Sequence, residues 1–272
     1  MKAMVAPTVL PLAEHVAVVS GVGDGLGKKS ALALARGGAA VVLCARTADR
    51  LDRIATEVRG TGAEVVALHG DITDVDYCKR VVDTTIDTFG RVDCLVNVAT
   101  RGPFHADTFA TVTEADLDAW HRTVNVDVFG TLTMTQAVAR RMQSARSGSI
   151  IFVNTVGVWL GPARQGAYIA SKAALLALAQ VLATELGPDG IRVNTVAPGW
   201  MLGPPVQGLL EGRAARAGTS VQDEYDKIAR DLPLRRIPTD AEVAMIIAFL
   251  ASEASAAITG QCINANGGQV YR

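Results

Sequence analysis

Charge of one sign, metal-ligand spacing and long apolar runs are all missing from this sequence. Its 272 residues carry 26 Lys or Arg against 27 Asp or Glu, a formal charge of −1. Nothing therefore marks it for nucleic acid or for an anionic membrane surface. No apolar run approaches the roughly 20 residues that a membrane-crossing helix needs, so no membrane partner is expected. Residues 1–12 hold one lysine and scattered prolines but no continuous apolar stretch, and are not read as a signal peptide. The four cysteines, Cys44, Cys78, Cys94 and Cys262, form no CxxC pair and no disulfide-framework spacing. They are expected to act as small hydrophobes in a reducing cytoplasm. His15, His69, His105 and His121 are too scattered to bind a metal together, so none is expected.

What is there is an alternating pattern in a chain that is 49% hydrophobic. Short β-branched runs at 16–20, 40–45, 64–68, 93–98, 149–154, 191–196 and 261–264 read as strands. Helical periodicity fills 25–36, 48–59, 74–89, 113–143, 165–186 and 240–252. Strands joined by helices of this length imply a parallel sheet, and apolar strands imply cover on both faces. The expected fold is α/β, a doubly wound (Rossmann-like) parallel sheet of about seven strands with helices on both faces. Its ligand site should lie beyond the carboxyl ends of the strands. One domain is expected over 1–272, with 1–14 as an N-terminal extension. Residues 199–238, interrupted by prolines and glycines, form an expected substrate lid holding short helices near 205–216 and 220–230.

The first strand runs into Ser20-Gly21-Val22-Gly23-Asp24-Gly25-Leu26-Gly27. A glycine turn between strand and helix brings backbone N–H groups and the helix N-terminus to a pyrophosphate. The spacing is G-x-x-x-G-x-G through Gly21, Gly25 and Gly27, and taken alone it leaves a ligand-free turn open. Where dinucleotide folds place an acid for the ribose hydroxyls, this chain has Cys44-Ala45-Arg46. A guanidinium suits a 2′-phosphate, so NADP is expected over NAD, with Arg46 as its reader; a solvated Arg46 is the alternative. Farther on, Tyr168 and Lys172 stand four apart at the start of a helix, on one face. The ammonium should favour the phenolate and lower the tyrosine pKa, making Tyr168 a general acid or base.

With Asp71, Asn97, Asn125 and Pro198-Gly199 in order between and after these motifs, the chain resembles the short-chain dehydrogenase/reductase family from about His15 to Gly268. The resemblance implies that Ser20, Gly21, Gly25, Leu26 and Gly27 cradle the cofactor, with serine where threonine is usual. It implies contacts from Asp71 and Ile72 to adenine, from Asn97 and Ala99 to the cofactor, and from Pro198 and Gly199 beside the nicotinamide. Tyr168 and Lys172 touch the cofactor as well, the lysine at the nicotinamide ribose. Val98, Thr100 and Gly203 depart from the family's pattern. Thr155, thirteen residues before the tyrosine, stands for the usual serine that holds the substrate oxygen; Asn154 and Gln165 are alternatives. Asn125 matches the family's asparagine beside a water in a proton relay, a structural amide being the other reading.

The expected function is hydride transfer between a nicotinamide cofactor and a small secondary alcohol or ketone. Trp159, Trp200, Met201 and Leu202 are candidates for an apolar substrate pocket, or else for lid packing, and a hydrophobic or cyclic substrate is expected. The alternatives are a non-catalytic NAD(P)-binding sensor, or an epimerase or dehydratase on the same fold. Residues 173–183 are apolar almost all round, with Gln180 the exception. This suggests a second subunit against that helix, and the resemblance implies a homotetramer.

Overall fold

The computed structural model describes residues 11–103, 105 and 107–271. Seven strands form one sheet: β1 Val16–Ser20, β2 Ala40–Ala45, β3 Val65–His69, β4 Cys94–Asn97, β5 Gly148–Val153, β6 Ile191–Pro198 and β7 Cys262–Ala265. Their spatial order is β3-β2-β1-β4-β5-β6-β7, and every pairing is parallel. The expected doubly wound α/β fold is the one observed. The order reverses between β1 and β4, where the chain leaves toward opposite sides of the sheet and a crevice opens.

Successive strand residues point to opposite faces, and here each face has its own core. Ala17, Val19, Val41 and Leu43 pack under α1 (Leu26–Arg36), α2 (Ala48–Arg59) and α10 (Asp240–Ala251). Val16, Val18, Val42 and Cys44 pack under α3 (Val75–Phe89), α5 (Thr131–Ala145) and α7 (Gly166–Leu186). Cys44, Cys78 and Cys94 are buried in these layers, where desolvation pushes their thiols up to about 12. They behave as the hydrophobes the sequence suggested.

Four differences from expectation matter for function. The expected N-terminal extension runs to residue 14, and its residues 1–10 lie outside the described residues. Leu12 is already core, 1% exposed, with its N–H donating to the Gly37 carbonyl. The helix expected over 113–143 begins only at Leu117, after Asp116, whose carboxylate caps α4 (Leu117–Val124) by accepting from the Asp118 N–H. It is then interrupted by a π-helical turn, Asn125–Gly130, before α5. An apolar run of membrane-crossing length was not expected, yet Gly166–Asp189 has the length and composition for one. Its inner side, Leu175, Leu182 and Leu186, packs in the core, and Ala173, Ala174, Ala177 and Val181 are exposed.

Residues 199–238 fold as two helices, α8 (Pro204–Ala217) and α9 (Val221–Asp231), the latter opened by a Ser220/Asp223 capping box. They bury a small core of their own, Leu210, Ile228, Leu232 and Ile237. A bridge from Leu202 to Thr239 and an ion pair from Arg236 to Glu242 join this layer to the start of α10.

Candidate active site

At the sheet's switch point lies a cleft of about 290 Å³ lined by the glycine loop, the ends of β2 and β4, and the turn after β3. Gly21 makes the loop possible. Its φ is +92°, and a side chain there would overlap the Ala99 backbone nitrogen, so the β1 and β4 ends meet only over a bare Cα. Gly25 is the N-cap of α1, and a Cβ on it would meet nothing nearer than Pro204 Cδ at 3.8 Å. Gly25 thus leaves the N-terminal end of α1 open, as an anion held by helix N–H groups requires. This cradle fits a dinucleotide pyrophosphate.

The adenosine end of the cleft carries charge. Arg46 is largely exposed, with the Asp71 carboxylate at 4.0 Å as its nearest acid. Arg50, one turn into α2, also lines the cleft but is drawn to Asp24 at 3.6 Å; Arg53 binds the same carboxylate at 2.5 Å. Asp71 closes its own turn by accepting from the Thr73 N–H and hydroxyl. Ile72 is buried beside it.

Beyond the carboxyl end of β5 the reacting candidates come together. Lys172 is 2% exposed, and its Nζ donates to the Val153 carbonyl at 2.8 Å. Asn154 pins the same helix by donating to the Lys172 carbonyl, while its Oδ1 accepts from the Thr155 N–H. Asn154 is therefore fully used as a scaffold. The Lys172 ammonium sits 5.8 Å from the Tyr168 ring centre, and the half-buried phenol lies beside the Thr155 hydroxyl. Thr155 Oγ1 also accepts from the Gly157 N–H at 3.1 Å, which holds its rotamer.

The expected fall in the tyrosine pKa is not what the structure supports. Desolvation and then the Asp127 carboxylate push the phenol up, and only the Thr155 hydrogen bond lowers it. The ammonium is itself pulled down by burial, with Asp127 opposing. A pairwise view of Tyr168 and Lys172 omits both the dry surroundings and a third charge.

That charge corrects the reading of Asn125. Asn125 is exposed at the start of the π turn, whereas Asp127, two residues on, is completely buried, its carboxylate accepting from the Thr100 hydroxyl and the Arg101 N–H. Asn97 likewise lies behind the cleft. Its amide donates to Thr135 Oγ1 at 3.1 Å, anchoring β4 to α5, and its Oδ1 is buried without a hydrogen-bond partner among the described residues. Ser20 is buried below the loop, its carbonyl accepting from the Val98 and Ala99 N–H groups. Gly21, Gly25, Leu26, Gly27, Arg46, Asp71, Ile72 and Ala99 do line the cleft, joined by Arg50 and Val126, which sequence reasoning missed. Arg50 was legible as the basic residue one helical turn past Arg46.

Pro198 and Gly199 end β6, and a side chain on Gly199 would overlap Gln269 Oε1. Of the aromatic and aliphatic candidates, Trp159 is half-buried on the short helix α6 (Gly157–Leu160). Trp200 and Leu202 pack on the α8/α9 core, with Arg213 over the Trp200 ring, and Met201 packs on the sheet. For these three the packing reading fits.

A family model described as enoyl-(acyl carrier protein) reductase matches residues 21–269. A dehydrogenase/reductase SDR family member 4 from Sus scrofa is 34% identical over 262 residues, 96% of this chain and 89% of its own. The chain belongs to the short-chain dehydrogenase/reductase family. Among solved members, L-sorbose reductase from Gluconobacter frateurii, complexed with NADPH and L-sorbose, superposes with a TM-score of 0.89. It is 26% identical and covers 97% of this chain and all of its own (100%). NAD+-bound xylitol dehydrogenase gives 0.85 at 28% identity, covering 94% and 99%. These short-chain dehydrogenase/reductase neighbours are nicotinamide-dependent oxidoreductases, and so is the class of enzyme to which this chain belongs. Because Gly21 has no room for a methyl group, Gly21→Ala is expected to lower the unfolding temperature by about 4 °C or more. The same variant should lose the stabilisation that saturating NADPH or NADH gives the parent. Thermal unfolding with and without cofactor checks both, and an unchanged pair of midpoints would contradict this account of the loop.

Proposed function

We propose that this protein interconverts a small secondary alcohol and its ketone, with Tyr168 as the proton-transfer group. The observation that carries the reading is the placement of the Tyr168 phenol. It stands one helical turn from a buried ammonium tied to the end of β5, with the Thr155 hydroxyl beside it. In ketone reduction the Tyr168 hydroxyl gives its proton to the carbonyl oxygen, and in alcohol oxidation the phenolate takes it back. Thr155 donates a hydrogen bond to the same oxygen and steadies its changing charge. Lys172 is placed to hold the ribose hydroxyls and to keep a positive charge near the phenolate as it forms. A nicotinamide cofactor held by the glycine loop and Lys172 would supply the hydride for reduction and accept it in oxidation. A phenol pushed above its ordinary value is protonated at neutral pH, which suits reduction there and oxidation at alkaline pH.

NADP is the proposed cofactor. Arg46 supports it: the guanidinium is exposed at the cleft's adenosine end and only loosely held by Asp71, free to make charge-assisted hydrogen bonds to a 2′-phosphate. Hydrophobic or cyclic ketones are the first substrates to try beside Trp159, with the polyols and keto-sugars of the structural neighbours as the comparison set. We also propose a homotetramer in a reducing cytoplasm. Exposed Leu117 on α4, Phe129 on the π turn and Val181 on α7 would be covered by other subunits.

Tyr168→Phe is expected to lower turnover by about 100-fold or more while leaving cofactor affinity intact; steady-state rates that match the parent would sink the assignment. Arg46→Ala should raise the Kd for NADPH about tenfold and leave NADH unaffected, followed by fluorescence titration. A parent protein that prefers NADH would instead mean that Arg46 is solvated. Light scattering should return four times the chain mass, and a monomer mass would refute the assembly.

A further inference from the structure

The chain past β7 turns back over the place where the α8/α9 layer leaves the sheet and rejoins it. β6 and β7 pair only as far as Pro198 and Ala265, so the Trp200 N–H, two residues on, lies beyond the ladder. It donates instead to Gln269 Oε1 at 3.1 Å. An unpaired backbone N–H away from water is costly, and here a side chain supplies the missing rung. The bare Cα of Gly199 makes the reach possible, since a side chain there would fall on the same oxygen. The turn that carries Gln269 is itself built. Asn266 is 3% exposed, its amide donates to the Val270 carbonyl at 2.9 Å, and its Oδ1 accepts from the Gly268 N–H at 2.8 Å. The other end of the layer meets the same turn. The Leu234 N–H donates to the Gly267 carbonyl at 3.2 Å, and Pro233 lies where a side chain on Gly268 would stand.

On its far side the β6 end is bonded to the reacting candidates. The Pro198 carbonyl accepts from the Val156 N–H at 2.9 Å, and the Val196 carbonyl from the Asn154 N–H at 2.8 Å. Thr155 is thus held between two rungs to β6, while Trp200 packs into the α8/α9 core. We propose that Gln269 is a positioning residue of this site: from the segment after β7 it fixes where the α8/α9 layer departs from β6, and so how that layer stands over Thr155 and Tyr168. The inference rests on the reading of those two residues as the substrate-contacting pair and of the layer as the substrate lid. Gln269 acts through Trp200 and Pro198. Held at both ends by one short segment, the layer keeps one placement above the cleft. Without the Gln269 oxygen the Trp200 N–H must turn to water, and the first residue of the layer is released. The cost falls on holding the substrate rather than on moving its proton.

Gln269→Met keeps the length of the side chain and removes its oxygen; Gln269→Glu keeps an oxygen in the same place. In the full-length parent the Trp200 N–H should exchange with solvent slowly, as followed by nuclear magnetic resonance, and Gln269→Met should speed it about tenfold. The Leu202 N–H, which donates to the Pro238 carbonyl at 2.7 Å, is the internal reference and should change less. Trypsin, cutting the layer at Arg213, Arg216 or Lys227, should open the Gln269→Met protein faster and the Gln269→Glu protein at the parent's rate. Neither readout needs a substrate. In reduction of cyclohexanone with NADPH, Gln269→Met should raise KM about fivefold and leave kcat within about threefold, with Gln269→Glu restoring KM. A merely structural role would lower the unfolding temperature and leave KM where it is. Equal Trp200 exchange in the parent and Gln269→Met overturns the proposal. So does fast exchange in the parent, even if no Gln269 variant folds. Retained turnover in Tyr168→Phe would instead remove the reading of the reacting pair and leave the tie between Gln269 and Trp200 standing.

Discussion

Seven strands that all run one way must be shut from water on both faces, and the rest of the molecule follows from that requirement. Each strand supplies alternate side chains to two separate cores, so helices have to lie on both sides and every connection has to cross the sheet. All carboxyl ends then collect along one rim. The glycine loop, Arg46, the turn at Asp71, Thr155 and the β6 end at Gly199 are supplied by five different strands, yet they share that rim because the strands are parallel. A crevice opens between β1 and β4, and the reacting candidates gather past β5, two positions along the sheet from β1.

The same dryness that stabilises the cores governs the electrostatics at the rim. Lys172 is among the largest fully buried side chains, and its ammonium is satisfied by a backbone carbonyl at the very end of β5. Its charge is thus held in place by the sheet rather than by an acid in contact with it. Asp127 is held the same way, by a backbone N–H and a hydroxyl. Both groups are thus anchored to neutral partners on the chain rather than to each other, so each stays where the end of β5 and the π turn put it.

The strands were legible to within two residues because β-branched runs bounded by glycine and aspartate leave little room for another reading. The helix after β4 was not. Its periodicity continues through the π turn, so a one-dimensional reading joined 113–143 into one helix and placed Asn125 by motif. Counting back along the buried stripe gives Val138, Met134, Thr131 and Asp127, which puts Asp127 on the inner face and Asn125 off it. That arithmetic needed no coordinates. The direction of the Tyr168 shift did need them, because burial and a charge from another element are invisible in a Tyr-x-x-x-Lys spacing. Asn97 and Ser20 were found as residues but not as roles, since which side of a strand end faces the cleft depends on the twist of its neighbours.

The separate little core of α8 and α9 has a bearing on how such an enzyme changes over time. Four side chains, Leu210, Ile228, Leu232 and Ile237, hold that layer together. It is tied to α10 by the Leu202–Thr239 bridge and the Arg236–Glu242 ion pair, and borders the glycine loop at Pro204. A core that small can be repacked by a few volume-conserving substitutions without transmitting strain into the sheet. Changes to that small core are therefore expected to alter the surface bordering the cleft more than the sheet beneath it.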